Sequence, residues 1–416
     1  MKYQKRFMDK VLAERLNSSG AVLIEGAKGC GKTEMAKQVA HSVAHFDTDK
    51  QIEIKMGIDP KLVLAGDNPR LLDEWQTYPE IWNYVRREVD ERKKKGLFIL
   101  TGSATPDDDT RRHSGAGRFS VIRMRPMSLY EKGWSTGEVR LADLLKGESP
   151  MSEEVKFDLG ELAEKITLGG WPGLIGESAA EGLRFVGDYV SMIAEVDISR
   201  VSDMRRDPYK VTRLLQSIAR NISTEATIAV LAKDTGGSND DLNSDTVTKY
   251  LAALEKLIAV DNLLAWNTHI RSADRLRKAP KRHFSDPSMA VGALGLSIDK
   301  LIADLNYFGL LFESLVIRDL KVYADTLGAS LYHYRDSRGL EIDAVLEYAD
   351  GTWGAFEVKL GIGSVDEAAK SLLTFADKID TDKMKPPATL TVVTGNGFAH
   401  RRADGVNVVP ISTLTV

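Results

Sequence analysis

The chain has 416 residues, 43% of them hydrophobic and 28% charged, with a formal net charge of −4. That length exceeds one compact core and predicts roughly two to four domains of ~100–200 residues each, with the composition of an ordinary soluble protein. The small negative balance excludes a globally basic nucleic-acid coat, so any contact with nucleic acid has to come from a local patch.

Cys30 is the sole cysteine, which excludes an internal disulfide and suits a reducing compartment. The opening stretch MKYQKRFMDKVLAERL mixes charges at helical spacing and lacks the continuous apolar stretch of a signal peptide. No window approaches the ~18 consecutive apolar residues of a membrane helix. A cytoplasmic protein without membrane contact is expected.

AVLIEG (Ala21–Gly26) is an apolar run that stops at a glycine, GAKGCGKT (Gly26–Thr33) follows, and EMAKQVAHSV has helical periodicity. Strand, glycine-rich loop and helix are the context a P-loop needs. Gly26, Gly29 and Gly31 let backbone N–H groups curl around phosphate oxygens, Lys32 reaches the β- and γ-phosphates, and Thr33 ligates Mg²⁺. ATP and Mg²⁺ are therefore the expected cofactors. RLLDEWQ supplies Asp73 as the second magnesium-side carboxylate and Glu74 as the group that polarises water. GLFILTGSA (Gly96–Ala104) reads as a buried parallel strand ending in Thr101 and Ser103, where a polar residue can sense the γ-phosphate. In HSGAGRFSVIRMRP, Arg118 is the first candidate for an arginine donated to a neighbouring subunit's nucleotide, with Arg112 second. A surface arginine on a loop is the competing reading.

GAKGCGKT, RLLDEWQ, FILTGSA and HSGAGRF, in this order and spacing, resemble a prokaryotic AAA-type ATPase family whose members carry a C-terminal domain of unknown function with a restriction-endonuclease-like core. The resemblance extends through GGWPG (Gly169–Gly173) to the C-terminal stretches and covers nearly the whole chain. It implies a P-loop fold with a strand added between the P-loop and Asp73 strands.

From about Ser135 to Arg206 the sequence is mixed helix and loop without a catalytic constellation, and GGWPG reads as structural turn chemistry. ISTEATIAVLAKDTGG and NSDTVTKYLAALEKLIAV then form two helical stretches around a glycine-containing break, the second with Val247, Tyr250, Leu251, Leu254, Leu257 and Ile258 at helical spacing after a Ser244 or Asn243 cap. NLLAW and RHFSD follow as strand-like pieces. Between and beside them lie Arg271, Arg275, Arg277, Lys278, Lys281 and Arg282, which in a winged helix would form a basic wing able to meet DNA phosphates. Packing against another protein domain is the alternative use of such a unit.

GLEIDAVLEY and DGTWGAFEVKL read as a hairpin of two alternating strands around an Asp350-Gly351 turn. Asp343 lies on the first strand, and Glu357 and Lys359 share one face of the second. Upstream, the apolar helix YFGLLFESLVIRDL carries Glu313 among buried-type positions, where an acid is unexpected unless it faces a polar site. Glu-x-Lys triplets recur elsewhere in the chain, at Glu53, Glu91 and Glu154, so the triplet alone carries nothing. The arrangement around it resembles the restriction-endonuclease-like (PD-(D/E)xK) superfamily. That resemblance implies Asp343 and Glu357 as Mg²⁺ ligands, Glu313 as a supporting ligand and Lys359 as the cation that positions or activates water. A cross-strand charge cluster is the plain alternative.

These readings give an α/β multi-domain protein: an AAA-type P-loop ATPase domain with a parallel sheet over 1–134, a helical linker over 135–206, a winged helix over 207–298 and a restriction-endonuclease-like α/β domain over 299–416. The expected function is ATP hydrolysis coupled to Mg²⁺-dependent cleavage of DNA by a homo-oligomer. The alternatives are a nucleotide-regulated scaffold that binds DNA or protein without cutting it, and a transcription regulator using the winged helix.

Overall fold

The computed structural model describes residues 3–102, 114–200, 207–235, 242–266 and 278–416. Ser103, Arg112, Arg271, Arg275 and Arg277 lie outside the described residues.

Strands β1 (Ala21–Gly26), β2 (Ser42–His45), β3 (Arg70–Asp73), β4 (Phe98–Gly102) and β5 (Phe119–Met124) form a parallel sheet in the order β2-β3-β4-β1-β5. The central strands β1, β3 and β4 are buried on both faces, while the edge strands β2 and β5 carry exposed positions such as Val43, Val121 and Arg123. Val22, Ile24, Leu71 and Ile99 pack on Met8, Leu12 and Leu16 of the helix Met8–Ser18. Leu23, Leu72 and Leu100 pack on Trp82, Val85 and Val89 of the helix Ile81–Arg92. β4 lies between β1 and β3, as the resemblance implies, so the carboxyl ends of all three strands open on one edge.

After β6 (Val139–Arg140) come the helices Leu159–Leu168 and Ala179–Glu195, each started by a reciprocal capping box, Asp158 with Glu161 and Ser178 with Glu181. Their apolar faces join a core with Leu214 and Leu215 of the helix Pro208–Arg220 and with Phe308, Leu311 and Leu315 of the helix Leu305–Leu327. The stretch read as a linker is therefore packed on both of its neighbours.

The helices Pro208–Arg220, Ile228–Thr235 and Ser244–Lys256 are followed by two extended pieces joined by antiparallel bridges, Val260 to Phe284 and Leu263 to Lys281. Of the two candidate caps it is Asn243 that serves, its side chain accepting the Thr246 N–H at 2.8 Å. The first extended piece continues into the C-terminal domain: Ala265 bridges His333, and Trp266 sits among Trp353 and Phe375 in that domain's core.

The C-terminal sheet has β7 (Ser330–Arg335), β8 (Glu341–Glu347), β9 (Trp353–Lys359), β10 (Thr389–Thr394), β11 (His400–Arg401) and β12 (Asn407–Pro410), in the order β11-β12-β10-β9-β8-β7. β7, β8 and β9 run antiparallel, while β10 pairs in parallel with both β9 and β12. The expected turn is present, with Gly351 left-handed at φ 79° and its N–H donating to the Tyr348 carbonyl. The helix Leu305–Leu327 is buried on nearly every side because it separates this sheet from the middle helices. The last strand, β13 (Leu414–Thr415), returns to pair with β6. No helix among the described residues is long and apolar enough to cross a membrane.

Candidate functional site

The P-loop folds tightly between β1 and the short helix Lys32–Lys37. A Cβ on Gly26 would lie 2.3 Å from the Met124 carbonyl, and Gly31 has φ 101°, so neither position admits a larger residue without strain. Lys32 is buried and donates to the carbonyls of Gly26 at 2.8 Å and Ala27 at 3.0 Å. At the ends of the neighbouring strands, the hydroxyls of Thr33 and Thr101 both donate to Asp73 Oδ1, at 2.8 and 2.6 Å. His45 Nδ1 lies 3.1 Å from the other Asp73 oxygen. Thr33, Asp73 and Lys32, read separately from the sequence, are thus brought together.

Glu74 follows Asp73 in the left-handed region, φ 55° and ψ 41°, a conformation uncommon for a residue with a side chain and concentrated at functional positions. Its carboxylate accepts from Gln76 Nε2, while Gln76 Oε1 and Trp75 Nε1 are buried without partners among the described residues. Arg118 is half-exposed and bound within its own chain, donating to Asp90 Oδ1 at 2.9 Å and to the Ala116 carbonyl at 3.1 Å.

Several groups around the loop were not legible in the sequence. Buried Arg6 donates to the Cys30 carbonyl at 2.9 Å, to Glu131 at 3.0 Å and to the Arg125 carbonyl at 2.9 Å. Lys28 pairs with Asp197 at 2.5 Å, and the Tyr189 hydroxyl donates to the Lys28 carbonyl at 3.1 Å. The middle helices therefore lie directly against the nucleotide loop. GGWPG fixes the neighbouring turn. The Gly170 N–H donates to Asp286 at 2.8 Å, Trp171 Nε1 donates to Ser288, and a Cβ on Gly170 would strike the Met127 carbonyl at 2.3 Å.

In the C-terminal domain, Glu313, Asp343, Glu357 and Lys359 all line one cleft of about 500 Å³, with Glu225, Glu341 and Arg335 also on its wall. Lys359 pairs with Glu357 at 2.9 Å, as their shared face requires. Asp343 Oδ2 accepts the Val358 N–H at 2.9 Å. Its other oxygen accepts Lys281 Nζ at 3.0 Å, and the same ammonium lies 2.8 Å from Glu313 and 2.8 Å from Glu341. Lys281 is 1% exposed. The expectation that Lys281 and Arg282 serve a basic wing is corrected here: Lys281 is turned inward to the carboxylates, and Arg282 is buried with Nε on the Ala226 carbonyl at 3.2 Å.

Burial sets the charge states of this cluster. Burial and the nearby Asp343 push Glu313 up to about 8 against the pull of Lys281, and they push Glu357 up to about 8 against Lys359. Burial also works against ionised Asp343, but Lys281 and Lys359 more than offset it and hold its pKa below the usual range. Burial opposes charge on Lys359 as well, and Glu357 and Asp343 outweigh it, raising its pKa. Its acidic neighbours thus hold Lys359 as a cation.

Hard oxygen donors suit Mg²⁺, and Thr33 with Asp73 meets that requirement at the P-loop. The C-terminal carboxylates are equally hard donors, but there the ammonium of Lys281 already lies among the acids. Among the described residues no group of three or more His, Cys, Asp or Glu has the arrangement to hold a metal ion.

Residues 18–132 match the AAA domain family, residues 159–300 a domain of unknown function (DUF8612), and residues 308–414 another domain of unknown function (DUF4143). Uncharacterized proteins Mb2031c of Mycobacterium bovis and Rv2008c of Mycobacterium tuberculosis are each 25% identical over 354 residues, covering 84% of this chain and 72% of theirs. Among solved structures, the Walker-type ATPase PABY2304 of Pyrococcus abyssi is 13% identical with a TM-score of 0.41, covering 69% of this chain and 94% of its own. Replication initiator DnaA bound to AMPPCP and single-stranded DNA is 17% identical with a TM-score of 0.23, covering 60% and 86%. The family match over 18–132 and the geometry around Lys32, Thr33 and Asp73 agree on a P-loop AAA-type ATPase domain.

Proposed function

We propose that this protein is an ATP-hydrolysing switch whose C-terminal half, a winged helix and a restriction-endonuclease-like domain, binds DNA rather than cutting it. The observation that carries the proposal is the convergence of Thr33, Thr101 and Asp73 Oδ1 beside Lys32, with Glu74 next in the chain. Bound Mg²⁺ would neutralise phosphate charge there. Thr33 and Asp73 supply its protein oxygens. Lys32, which holds two backbone carbonyls, exchanges them for β- and γ-phosphate oxygens. Glu74 orients the attacking water, and its left-handed backbone holds the carboxylate off the line of β3. Thr101, and Ser103 beyond it, sense the γ-phosphate. Arg118, released from Asp90, reaches a neighbouring subunit in a homo-oligomer.

The restriction-endonuclease-like reading is supported by the order of elements: the helix Leu305–Leu327, three antiparallel strands, the helix Val365–Asp377 and a parallel strand. The winged-helix reading is supported by three helices followed by two bridged strands. Binding without cleavage is favoured by Lys281, which holds the acids a divalent cation would need. A second reading, Mg²⁺-dependent cleavage by Asp343, Glu357 and Lys359 with support from Glu313, is favoured by their convergence on one cleft.

The test is DNA binding by fluorescence anisotropy with and without ATP, run beside a cleavage assay in Mg²⁺ or Mn²⁺. Salt-sensitive binding that responds to ATP in wild type but not in Lys32→Ala, without strand breaks, is the expected result. Cleavage that disappears in Asp343→Ala and Lys359→Ala overturns the binding reading in favour of the second.

A further inference from the structure

Two buried acids, Glu313 and Asp343, with the partly exposed Glu341 beside them, need a positive charge, because a buried unpaired carboxylate is costly. The C-terminal cluster receives it from an unusual direction. Lys281 belongs to the second extended piece of the middle domain, whose backbone is fixed by two hydrogen bonds of 3.0 Å exchanged with Leu263. Leu263 is followed by the segment whose Trp266 N–H donates to the His333 carbonyl, and the His333 N–H donates back to Leu264 at 2.9 Å. The middle domain thus adds an edge to the C-terminal sheet, and that edge aims Lys281 into the cleft floor.

We infer that Lys281 is the resident cation of the C-terminal carboxylate cluster, delivered from the middle domain to lie among Glu313, Glu341 and Asp343 in place of a divalent metal ion. This inference rests on the restriction-endonuclease-like reading of the C-terminal domain and deepens it. The ammonium has three N–H donors, and the three nearest acceptors are Glu313 Oε1 at 2.8 Å, Glu341 Oε1 at 2.8 Å and Asp343 Oδ1 at 3.0 Å. Its donor capacity is therefore filled. Mg²⁺ and the lysine compete for the cluster: the cation's octahedral shell would draw on the same oxygens, and two positive centres at this spacing repel. The C-terminal domain is consequently closed to divalent cations while the middle domain's edge is docked, and withdrawal of that edge would open it.

The experiment is Mn²⁺ binding to the full-length, nucleotide-free protein, followed by electron paramagnetic resonance. Wild type and Asp343→Asn are expected to bind the same number of ions, because Lys281 keeps a metal ion out of this cluster in both. Lys281→Met is expected to bind one ion more than wild type, and the double variant Lys281→Met, Asp343→Asn to lose it again. An ion bound by wild type and lost in Asp343→Asn overturns the inference whether or not Lys281→Met folds. Failure of a folded Lys281→Met chain to gain an ion overturns it as well. Absence of DNA binding with these ion counts intact would defeat only the proposed function.

Discussion

Arg125, one residue beyond β5 of the ATPase sheet, donates through Nε to Asp261 Oδ2 across 2.6 Å, joining the nucleotide domain to the extended segment that leads into the C-terminal sheet. The pair is part of a longer chain. The Arg125 carbonyl accepts from Arg6, Arg6 also holds the Cys30 carbonyl within the P-loop, and Asp261 takes Lys321 at 3.2 Å from the helix that carries Glu313. Asp261→Asn removes the carboxylate shared by Arg125 and Lys321, leaving Arg125 with Asp325 and Lys321 with the carbonyls of Asp261 and Asn262, an effect of up to about 3–5 kcal/mol for a broken buried pair. Chemical denaturation should register a loss of that order. The two basic residues hold Asp261 far below the usual carboxylate range despite its burial. A depressed pKa gives stability that is full above the unfolded value near ~3.9 and lost as pH falls toward the folded value. The gap between wild type and Asp261→Asn should therefore be constant from neutral pH to about 4 and shrink below it.

Asp197 restrains the P-loop through Lys28, a pair in which the lysine is 41% exposed. A partly solvated pair contributes up to about 1 kcal/mol. Asp197→Ala should free Lys28 for phosphate and tighten ATP binding by up to about five-fold, measured by isothermal titration calorimetry. Unchanged or weaker affinity would mean that the contact does not compete with nucleotide.

Lys132 reports on the junction at GGWPG. Burial lowers its pKa from 10.5 to about 8, and its Nζ donates to the Trp171 carbonyl at 3.3 Å. The unfolded chain binds more protons than the folded chain between those two values, so folding stability from this group rises as pH goes from about 8 to about 10.5. Lys132→Met should flatten that rise. Parallel unfolding curves of the two proteins across this range would contradict the assignment.

Trp266 belongs by sequence to the strand NLLAW of the middle domain, yet it is 3% exposed in the C-terminal core, with its Nε1 on Glu347 at 3.0 Å. Trp266→Ala should cost about 3–5 kcal/mol and loosen the edge that carries Lys281. Hydrogen exchange should speed up at His333 and Leu263. A loss confined to the middle helices would show that the two domains are not joined through this edge.

The ATPase site was readable because its chemistry is local: one eight-residue loop fixes Lys32 and Thr33, and an apolar run ending in an acid marks Asp73. The hairpin was equally plain, since Asp350-Gly351 sits between alternating strands, and an acid in an apolar helix marked Glu313 as facing a polar site, while its meeting with Asp343 was implied by the resemblance. Lys281 was not readable, because nothing in KAPKRHF separates it from its basic neighbours. Its signal lay elsewhere, in acids whose burial demanded a cation. Trp266, Arg6 and Asp197 escaped for the same reason: each acts across more than a hundred positions or between domains, and local periodicity is blind to such pairs.

Steady-state ATP hydrolysis by the full-length protein in Mg²⁺ is the most direct test of the ATPase reading, comparing wild type with Lys32→Ala, Asp73→Asn and Glu74→Gln. The account predicts turnover in wild type and a fall of at least about 100-fold in each variant, the scale expected when a group acting on the transition state is removed, with nucleotide binding retained in Glu74→Gln. Hydrolysis unchanged in Lys32→Ala and Asp73→Asn would contradict it.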